Sequence, residues 1–278
     1  MMPFIHIAGL SISTWRLAVL ATVLICWVPL LIRAKNLGYP FHTFFPLVLF
    51  ALPVGTLGGH LFNKLIPLVF GITSGIEYSL SGLTIIGSIV AVLIYALLYI
   101  KFILKAPPMR IMDAAAFTFP LAAALGRIGC LLNGCCFGWP APSGLHGLFS
   151  LLTTRLDFYA PHSDAWDAYP GMPGGFKIWD LPLIFMLQGF AILAITEALY
   201  RNRNRLRLYP GTVFAVAGTL YSGGRFFLEF MRNEKTVGGT SLNPWQPATL
   251  VLFAVFFAWL CFGLYKRAGK TSRGGGLN

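Results

Sequence analysis

The chain contains seven apolar stretches that are each long enough to cross the roughly 30 Å hydrocarbon core of a bilayer as a helix. This feature predicts an all-α integral membrane protein with seven transmembrane helices. We expect residues 1–278 to form a single polytopic membrane domain. The seven spans are predicted near residues 15–32, 43–70, 82–104, 112–133, 181–199, 211–231 and 247–265.

The composition supports a membrane location. Hydrophobic residues make up 56% of the chain, charged residues only 11%, and the mean hydropathy is +0.72. A soluble domain carries about 25% charged residues. The net charge of +12 would fit a nucleic-acid-binding protein, but the basic residues cluster in short loops between apolar stretches. We therefore expect no nucleic-acid partner. No cleavable signal peptide is evident, so the first apolar stretch is predicted to be a retained span.

The basic residues also predict an orientation. They follow spans one, three and five and end the chain, and these four segments fall on one side of a seven-span weave. The loops of the other side have few basic residues, mixed with acidic ones. The positive-inside rule then places the N-terminus outside and the C-terminus in the cytoplasm. The basic residues of the four segments are Arg33, Lys35, Lys101, Lys105, Arg110, Arg201, Arg203, Arg205, Arg207, Lys266, Arg267, Lys270 and Arg273.

One extramembrane segment, at about residues 139–180, is long enough to form a structure of its own. It lies outside in the predicted topology and is rich in proline, glycine, aromatic residues and aspartate. Its composition predicts a small irregular cap on the bilayer surface, with Trp and Tyr at the interface. Loops of this length are often functional, but a passive connector is an equal alternative.

An arginine occurs where the fourth apolar stretch ends. Arg127 lies in the glycine-rich run from Gly126 to Gly138. A charge in or at the end of a span is costly, and it normally faces a polar cavity, a bundle interior or a lipid head group. The position of Arg127 therefore predicts a place where an anionic group is held.

The sixth span carries a second set of ionisable residues. Tyr221, Arg225, Glu229 and Arg232 recur at helical spacing, so they are predicted to share one face. Arg225 and Glu229 can pair, which lowers the cost of burying either one. The pair could simply hold the helices together, or it could form an anion site in which Glu229 orients Arg225. The planar guanidinium fork suits phosphate, and two arginines within spans favour one shared anionic ligand.

Three cysteines lie close together in the Arg127 run. Cys130, Cys135 and Cys136 could suggest a metal site, but no nearby histidine or fourth cysteine completes a tetrahedral set. A disulfide from Cys130 to either of the others is conceivable on the oxidising side, and packing is an equal alternative. We expect no metal and no cofactor.

The run Gly126-Arg127-Ile128-Gly129-x-x-x-Asn133-Gly134-x-x-x-Gly138 resembles the signature of bacterial prolipoprotein diacylglyceryl transferases. A second motif of that family, Tyr-x-x-x-Arg-x-x-x-Glu, is matched by Tyr221, Arg225 and Glu229. The resemblance extends over most of the chain, including the seven spans and the external segment after the signature.

This resemblance implies an enzyme of the bacterial plasma (inner) membrane. Such enzymes move a diacylglyceryl group from phosphatidylglycerol to the cysteine thiol of a lipobox-containing prolipoprotein, so the implied partners are this precursor and membrane lipid. Glycerol phosphate leaves and a thioether forms. Because the nucleophile belongs to the acceptor, the chain's own cysteines are expected to be dispensable. The implied catalytic residues are Arg127, Arg225, Tyr221 and Glu229, and the implied substrate-binding residues are Arg127, Asn133, Gly138 and Arg225.

The chain departs from the family pattern at several polar positions. Cys130 stands where the family has Asn, Cys135 where it has Glu, Ile86 where it has His, and Trp15-Arg16 where it has Tyr-Gly. The phosphate-holding half of the site is thus retained and the polar half is altered. Two alternatives follow: a non-catalytic or redirected protein that binds anionic lipid, and a membrane thiol or metal protein that uses the three cysteines.

Overall fold

The computed structural model describes residues 4–7, 10–70, 85–142, 144, 147–159, 161, 163–173, 175–233 and 246–274. The helices are α1 (Thr14–Asn36), α2 (Phe41–Phe70), α3 (Ile85–Phe102), α4 (Pro108–Ala115), α5 (Thr118–Asn133), α6 (Asp164–Asp167), α7 (Leu181–Arg201), α8 (Thr212–Leu228) and α9 (Gln246–Gly274). The strands are β1 (Phe4–Ile7), β2 (Leu10–Ser13), β3 (Thr153–Arg155) and β4 (Lys177–Trp179).

Most of the described chain is helical, and five stretches are long and apolar enough to cross a membrane. A shorter apolar helix covers Gly87–Phe102, and α8 has 17 residues. The start of the predicted third span, at residues 82–84, lies outside the described residues. The protein is thus a multi-pass helical membrane protein, while the count of seven spans stays a prediction. The five stretches are Leu17–Asn36, Phe41–Phe62, Pro108–Asn133, Leu181–Arg201 and Gln246–Ala268.

Two predicted features differ from the structure. The fourth span is built from two helices, α4 and α5, which are separated at Ala116 and Phe117. Pro120 explains the break, because a proline lacks the N–H of a helix interior and clashes with the preceding turn, whereas it is tolerated in a first turn. The fold is also not purely helical, since β1 pairs with β2 and β3 pairs with β4, both antiparallel.

Helix α7 packs against both α5 and α8, and therefore brings together the two helices that carry the predicted site. Gly189 makes the contact with α5 possible. A Cβ at Gly189 would lie 2.8 Å from the Ala124 Cβ and 2.9 Å from the Pro120 carbonyl oxygen. The two backbones thus approach more closely than any side chain would allow.

Polar contacts join the helix ends far from the Gly126–Gly138 run. At the end of α1, Arg33 pairs with Glu197 of α7 at 2.5 Å, and Glu197 also pairs with Arg201 at 2.8 Å. Near the start of α8, the buried Asp113 accepts hydrogen bonds from the backbone N–H groups of Gly211 (2.7 Å) and Phe214 (3.0 Å). Since the first N–H groups of a helix lack intrahelical partners, Asp113 of α4 caps α8.

The segment after α5 folds as a cap. Its small core contains the buried residues Leu156, Tyr159, Ala165 and Ile178. The cap contacts the signature directly, because the Ala165 N–H donates to the Gly134 carbonyl oxygen at 3.1 Å. It also contacts the end of the α8 segment, where Gly138 and Arg232 form an antiparallel bridge and the Trp139 N–H donates to the Met231 carbonyl oxygen at 3.0 Å.

Candidate anion site

One face of α8 and of the turn that follows it is buried and polar. Tyr221, Arg225 and Glu229 are 8%, 5% and 2% exposed, and Arg232 is half-buried. Phe227, on another face, is 69% exposed. The helix thus turns its ionisable residues inward and an aromatic side chain outward, in agreement with the spacing.

Glu229 lies between two guanidinium groups. Its carboxylate is 2.8 Å from Nη2 of Arg225 and 3.5 Å from Nη1 of Arg232. Arg225 Nη1 also lies 3.5 Å from the Tyr221 hydroxyl, which is a long hydrogen bond. These contacts hold the Arg225 side chain while leaving its Nε without a hydrogen-bond partner in the described part of the chain. An unpaired buried donor is costly, so an anion placed here would satisfy it.

Arg127 comes from the last turns of α5. The helix ends at Gly134, whose left-handed φ of 71° suits glycine. The Cys135 N–H then donates to the Cys130 carbonyl oxygen at 3.2 Å, and the Gly134 N–H donates to the Leu131 carbonyl oxygen at 3.4 Å. This hydrogen-bond pattern is the Schellman ending of a helix. It turns the chain back over Arg127 and towards the cap.

The two arginines meet at one aromatic ring. Phe185 of α7 lies 4.4 Å from the Arg127 guanidinium carbon and 5.7 Å from that of Arg225, measured to the ring centroid. The two guanidinium carbons are therefore at most about 10 Å apart, and both lie over the same ring. A cation over an aromatic face is also stabilised electrostatically.

The cap supplies polar groups at the rim. The Tyr169 hydroxyl donates to the Gly138 carbonyl oxygen at 3.2 Å and accepts from the Asn233 side-chain amide at 3.0 Å. Burial raises the pKa of Tyr169, and burial also raises the pKa of Tyr159. Both phenols therefore stay protonated at neutral pH. The cap thus fixes Gly138, and through it Arg232, with neutral hydrogen bonds.

Two cavities lie next to each other at α8, and Arg225 lines the smaller one. A small one of about 20 Å³ is lined by Tyr221, Ser222 and Arg225. A larger one of about 390 Å³ is almost wholly apolar and lies among α1, α2, α3, α5 and α8. Both are lined by Ile89, Phe119, Gly218 and Phe256. The small cavity at Arg225 therefore neighbours a space suited to hydrocarbon, which Arg225 itself does not line.

The structure brings together most of the residues that were proposed from the sequence. Arg127, Tyr221, Arg225 and Glu229 converge around α7, and Gly138 bridges to Arg232. Asn133 is the last residue of α5 and is half-buried. The side chains of Trp15, Arg16 and Ile86, three departures from the family pattern, lie outside the described part of the structure.

Two further residues of the site come from α7. The ring of Phe185 contacts the guanidinium groups of both arginines. The Gln188 side-chain amide donates to the carbonyl oxygens of Leu220 (3.4 Å) and Tyr221 (3.3 Å), which precede Arg225 on α8. The Gln188 Oε1 atom is buried and has no hydrogen-bond partner among the described residues. Gln188 could have been proposed from the sequence, because it is a lone glutamine in an apolar span. Phe185 gave no such signal, because the spans are rich in phenylalanine.

A model of the prolipoprotein diacylglyceryl transferase family matches residues 3–261 of the chain. Among individual proteins, the chain is 27% identical to phosphatidylglycerol–prolipoprotein diacylglyceryl transferase 2 of Clostridium perfringens, over 60% of the chain and 56% of that protein. It is 26% identical to the phosphatidylglycerol–prolipoprotein diacylglyceryl transferase of Clostridium tetani, over 92% and 94%. The enzyme of the same name from Dehalococcoides mccartyi strain BAV1 is 30% identical, over 84% and 82%.

Proposed function

The chain belongs to the prolipoprotein diacylglyceryl transferase family, and on that premise we propose that it is a membrane transferase. It moves a diacylglyceryl group from phosphatidylglycerol to the cysteine thiol of a lipobox-containing prolipoprotein. The names of the similar proteins supply the donor and the acceptor class. The lipobox and the bacterial inner membrane come from the family resemblance.

The observation that carries this proposal is the convergence of Arg127 and Arg225 on the ring of Phe185. Two guanidinium groups at this separation can bind different oxygens of one phosphate. Glu229 and Tyr221 orient Arg225, and its Nε lacks a partner among the described residues. The apolar cavity, which shares four lining residues with the small cavity at Arg225, has room for acyl chain segments. Together these features fit a phospholipid with its phosphate at the arginines.

In the reaction, the acceptor's thiolate attacks the glycerol carbon that bears the phosphate ester. A C–S bond forms, the C–O bond breaks, and glycerol phosphate leaves with the electron pair. Negative charge therefore builds up on the leaving phosphate oxygen, where Arg127 and Arg225 stabilise it. The thiol must lose its proton first, because the neutral thiol is a poor nucleophile. Asn133 and Gly138 lie at the ends of the same segment and help to hold the donor head group.

We also propose the full topology that was predicted from the sequence. The protein has seven spans, its N-terminus and cap outside, its C-terminus in the cytoplasm, and one polytopic domain. Two structural contacts support this arrangement. The ends of α1 and α7 meet through Arg33, Glu197 and Arg201, as same-side ends should. The ends of α5 and of the α8 segment meet at the cap through Gly138 and Arg232.

The proposed function is tested with the purified full chain in phosphatidylglycerol vesicles and a peptide that contains a lipobox cysteine. We expect mass spectrometry to detect a peptide with a thioether-linked diacylglyceryl group. Vesicles of phosphatidylcholine and a peptide with serine in place of cysteine serve as controls. Retention of phosphatidylglycerol without any product would contradict transfer and favour the non-catalytic lipid-binding alternative.

Expression of the chain in cells depleted of their own transferase provides an independent test. Restored production of lipid-modified lipoprotein is the expected result. Failure there, together with failure in vesicles, would reject the proposal.

A further inference from the structure

Three thiols converge beside the anion site. The Sγ atoms of Cys130, Cys135 and Cys136 all lie within 4.8 Å of one another, and those of Cys130 and Cys136 are 4.0 Å apart. Sulfur ligands at about 2.3 Å from one tetrahedral Zn²⁺ are about 3.8 Å apart. The observed spacing is thus near that of a zinc–thiolate site, and it is far from the roughly 2.05 Å of a disulfide.

The backbone explains why the three thiols meet. Cys130 lies in the last turn of α5, and two residues with left-handed backbone follow it, Gly134 (φ 71°) and Cys136 (φ 61°). They reverse the chain, so that Cys135 Sγ comes within 3.8 Å of the Cys130 carbonyl oxygen. A residue other than glycine adopts this conformation at a cost. At Cys136 this strained turn accompanies the approach of its sulfur to Cys130.

Positive charge surrounds the three sulfurs. Arg232 Nη2 lies 3.5 Å from Cys136 Sγ, and Arg127 interacts electrostatically with Cys130 and Cys136. Three thiolates and one divalent cation carry a net charge of −1. A guanidinium that donates to a ligating sulfur compensates such a charge, as partners outside the ligand shell do in metal sites.

We propose that Cys130, Cys135 and Cys136 bind one thiophilic divalent cation such as Zn²⁺ and leave one coordination position open for the acceptor thiol. A site of four protein ligands is closed and structural, whereas three protein ligands leave a fourth position for substrate. Among the described residues, no further histidine, cysteine or carboxylate joins the group. This proposal departs from two expectations drawn from the sequence: that the chain binds no metal, which assumed a closed set of four ligands, and that its own cysteines are dispensable.

The role of this metal rests on the proposed function. An acceptor thiol that binds the open position loses its proton to solvent and becomes a metal-bound thiolate. Its sulfur then attacks the glycerol carbon of phosphatidylglycerol, and glycerol phosphate leaves towards the arginines. Arg232 links the arginine site to the three thiols, because it lies 3.5 Å from the Glu229 carboxylate and 3.5 Å from Cys136 Sγ. The metal held by the cysteines thereby activates the acceptor thiol. Two of these cysteines, Cys130 and Cys135, stand where the family has other polar residues.

The binding test uses Co²⁺ as a spectroscopic probe on the chelator-treated full chain in detergent. We expect one equivalent to bind, with a sulfur-to-cobalt charge-transfer band and the visible bands of a tetrahedral site. Cys130→Ser, Cys135→Ser and Cys136→Ser each lower the intensity of the charge-transfer band, because each removes one of three sulfur ligands, whereas Cys261→Ser, which changes an exposed cysteine, leaves it unchanged. Arg232→Gln weakens Co²⁺ binding by about 10- to 100-fold, and Arg232→Lys restores part of it.

Addition of the lipobox peptide should shift the visible bands of the cobalt-loaded wild-type chain, and the serine peptide should not. Absence of a charge-transfer band in the wild type would overturn the proposed site without requiring any variant to fold. A band of undiminished intensity in the Cys130→Ser, Cys135→Ser and Cys136→Ser variants would overturn it as well. So would a metal-free wild-type chain that forms the thioether at the full rate, although the proposed function would then stand. Conversely, cobalt binding and a peptide shift without any thioether product would retain the site and reject the proposed function.

Discussion

Arg225 is the residue on which the phosphate site depends most, because its partners fix it without using all its donors. Glu229 accepts from one end of the guanidinium group, and Tyr221 lies beside it. The Nε atom faces no partner within the described residues. The side chain is only 5% exposed, so water screens its charge weakly. A phosphate that binds here meets a donor that is already oriented.

Arg225→Lys should lower the rate of diacylglyceryl transfer by about 10- to 100-fold, which corresponds to one lost charge-assisted hydrogen bond of about 1.5–3 kcal/mol. Lysine keeps the charge but loses the planar fork. Arg225→Ala should also lower the unfolding temperature, because it leaves Glu229 buried with less compensation, at about 3–5 kcal/mol. Transfer assays and thermal unfolding in detergent measure both effects. Arg205→Lys, at an exposed position, is the control, and equal activity of all the variants would contradict the role of Arg225.

Phe185→Leu should weaken donor binding while the fold is retained. The ring lies under both guanidinium groups, and each cation–π contact contributes about 0.5–2 kcal/mol. We expect the KM for phosphatidylglycerol to rise by about 2- to 30-fold. Phe190→Leu on the same helix changes a ring that is 38% exposed and should leave KM unaltered. An unchanged KM in Phe185→Leu would show that the ring does not position the arginines.

The burial of Tyr221, Arg225 and Glu229 on one shared face was predictable from the sequence, whereas the apolar support of the proposed site was not. A charge in a span is rare enough to point to a site, and the spacing of Tyr221, Arg225 and Glu229 fixes their common face. Phe185 has no such signal among 24 phenylalanines. The sequence suggested that Cys130, Cys135 and Cys136 could come together as a metal site or a disulfide, but their actual spacing depends on two left-handed residues whose torsion angles the sequence does not state.

At the scale of elements, the distance between α5 and α7 decides whether the site exists. Arg127 is on α5 and Phe185 is on α7, and Gly189 sets how closely the two helices approach. The sequence predicted the positions of these helices but not which pairs touch. Pro120 did carry a local signal for the break between α4 and α5, but hydropathy alone merged the two helices into one span.

Gly189→Ala should destabilise the protein by about 1–3 kcal/mol through overpacking, and it should lower transfer by moving Phe185 away from Arg127. The new methyl group would meet backbone atoms of Pro120 and Ala124, which cannot move aside. Gly126→Ala is the matched control, because nothing lies within 4 Å of a Cβ at that position. Thermal unfolding should therefore separate the two alanine variants. Equal unfolding temperatures would show that the α5–α7 contact is looser than described.

At the scale of the whole molecule, the two ends of the helical bundle differ in chemistry. One end carries the cap and the ionisable site, and the other carries the Arg33–Glu197–Arg201 cluster and the basic loops. This polarity follows from the proposed topology, which was predictable because charge bias in loops is readable from the sequence. The folded cap was less predictable, since its core combines residues that are distant in the sequence.

The topology is tested by labelling introduced cysteines with a membrane-impermeant maleimide in intact spheroplasts. Asp157→Cys in the cap should react from outside. Arg205→Cys, in the loop after α7, should react only after the membrane is permeabilised. The unmodified chain gives the background of its five native cysteines. Labelling of Arg205→Cys in intact spheroplasts would invert the proposed orientation.

The bridge between Gly138 and Arg232 imposes an order on the biosynthesis of the protein. The ribosome completes the cap segment before it makes α8, yet the start of the cap, at Gly138 and Trp139, forms backbone hydrogen bonds to the residues that follow α8. A nascent chain that has emerged only as far as α7 therefore holds Arg127 without Arg225 and has an unfinished cap. On the proposed function, such an incomplete chain lacks the second arginine of the phosphate site, so we expect phospholipid binding only after α8 has entered the membrane.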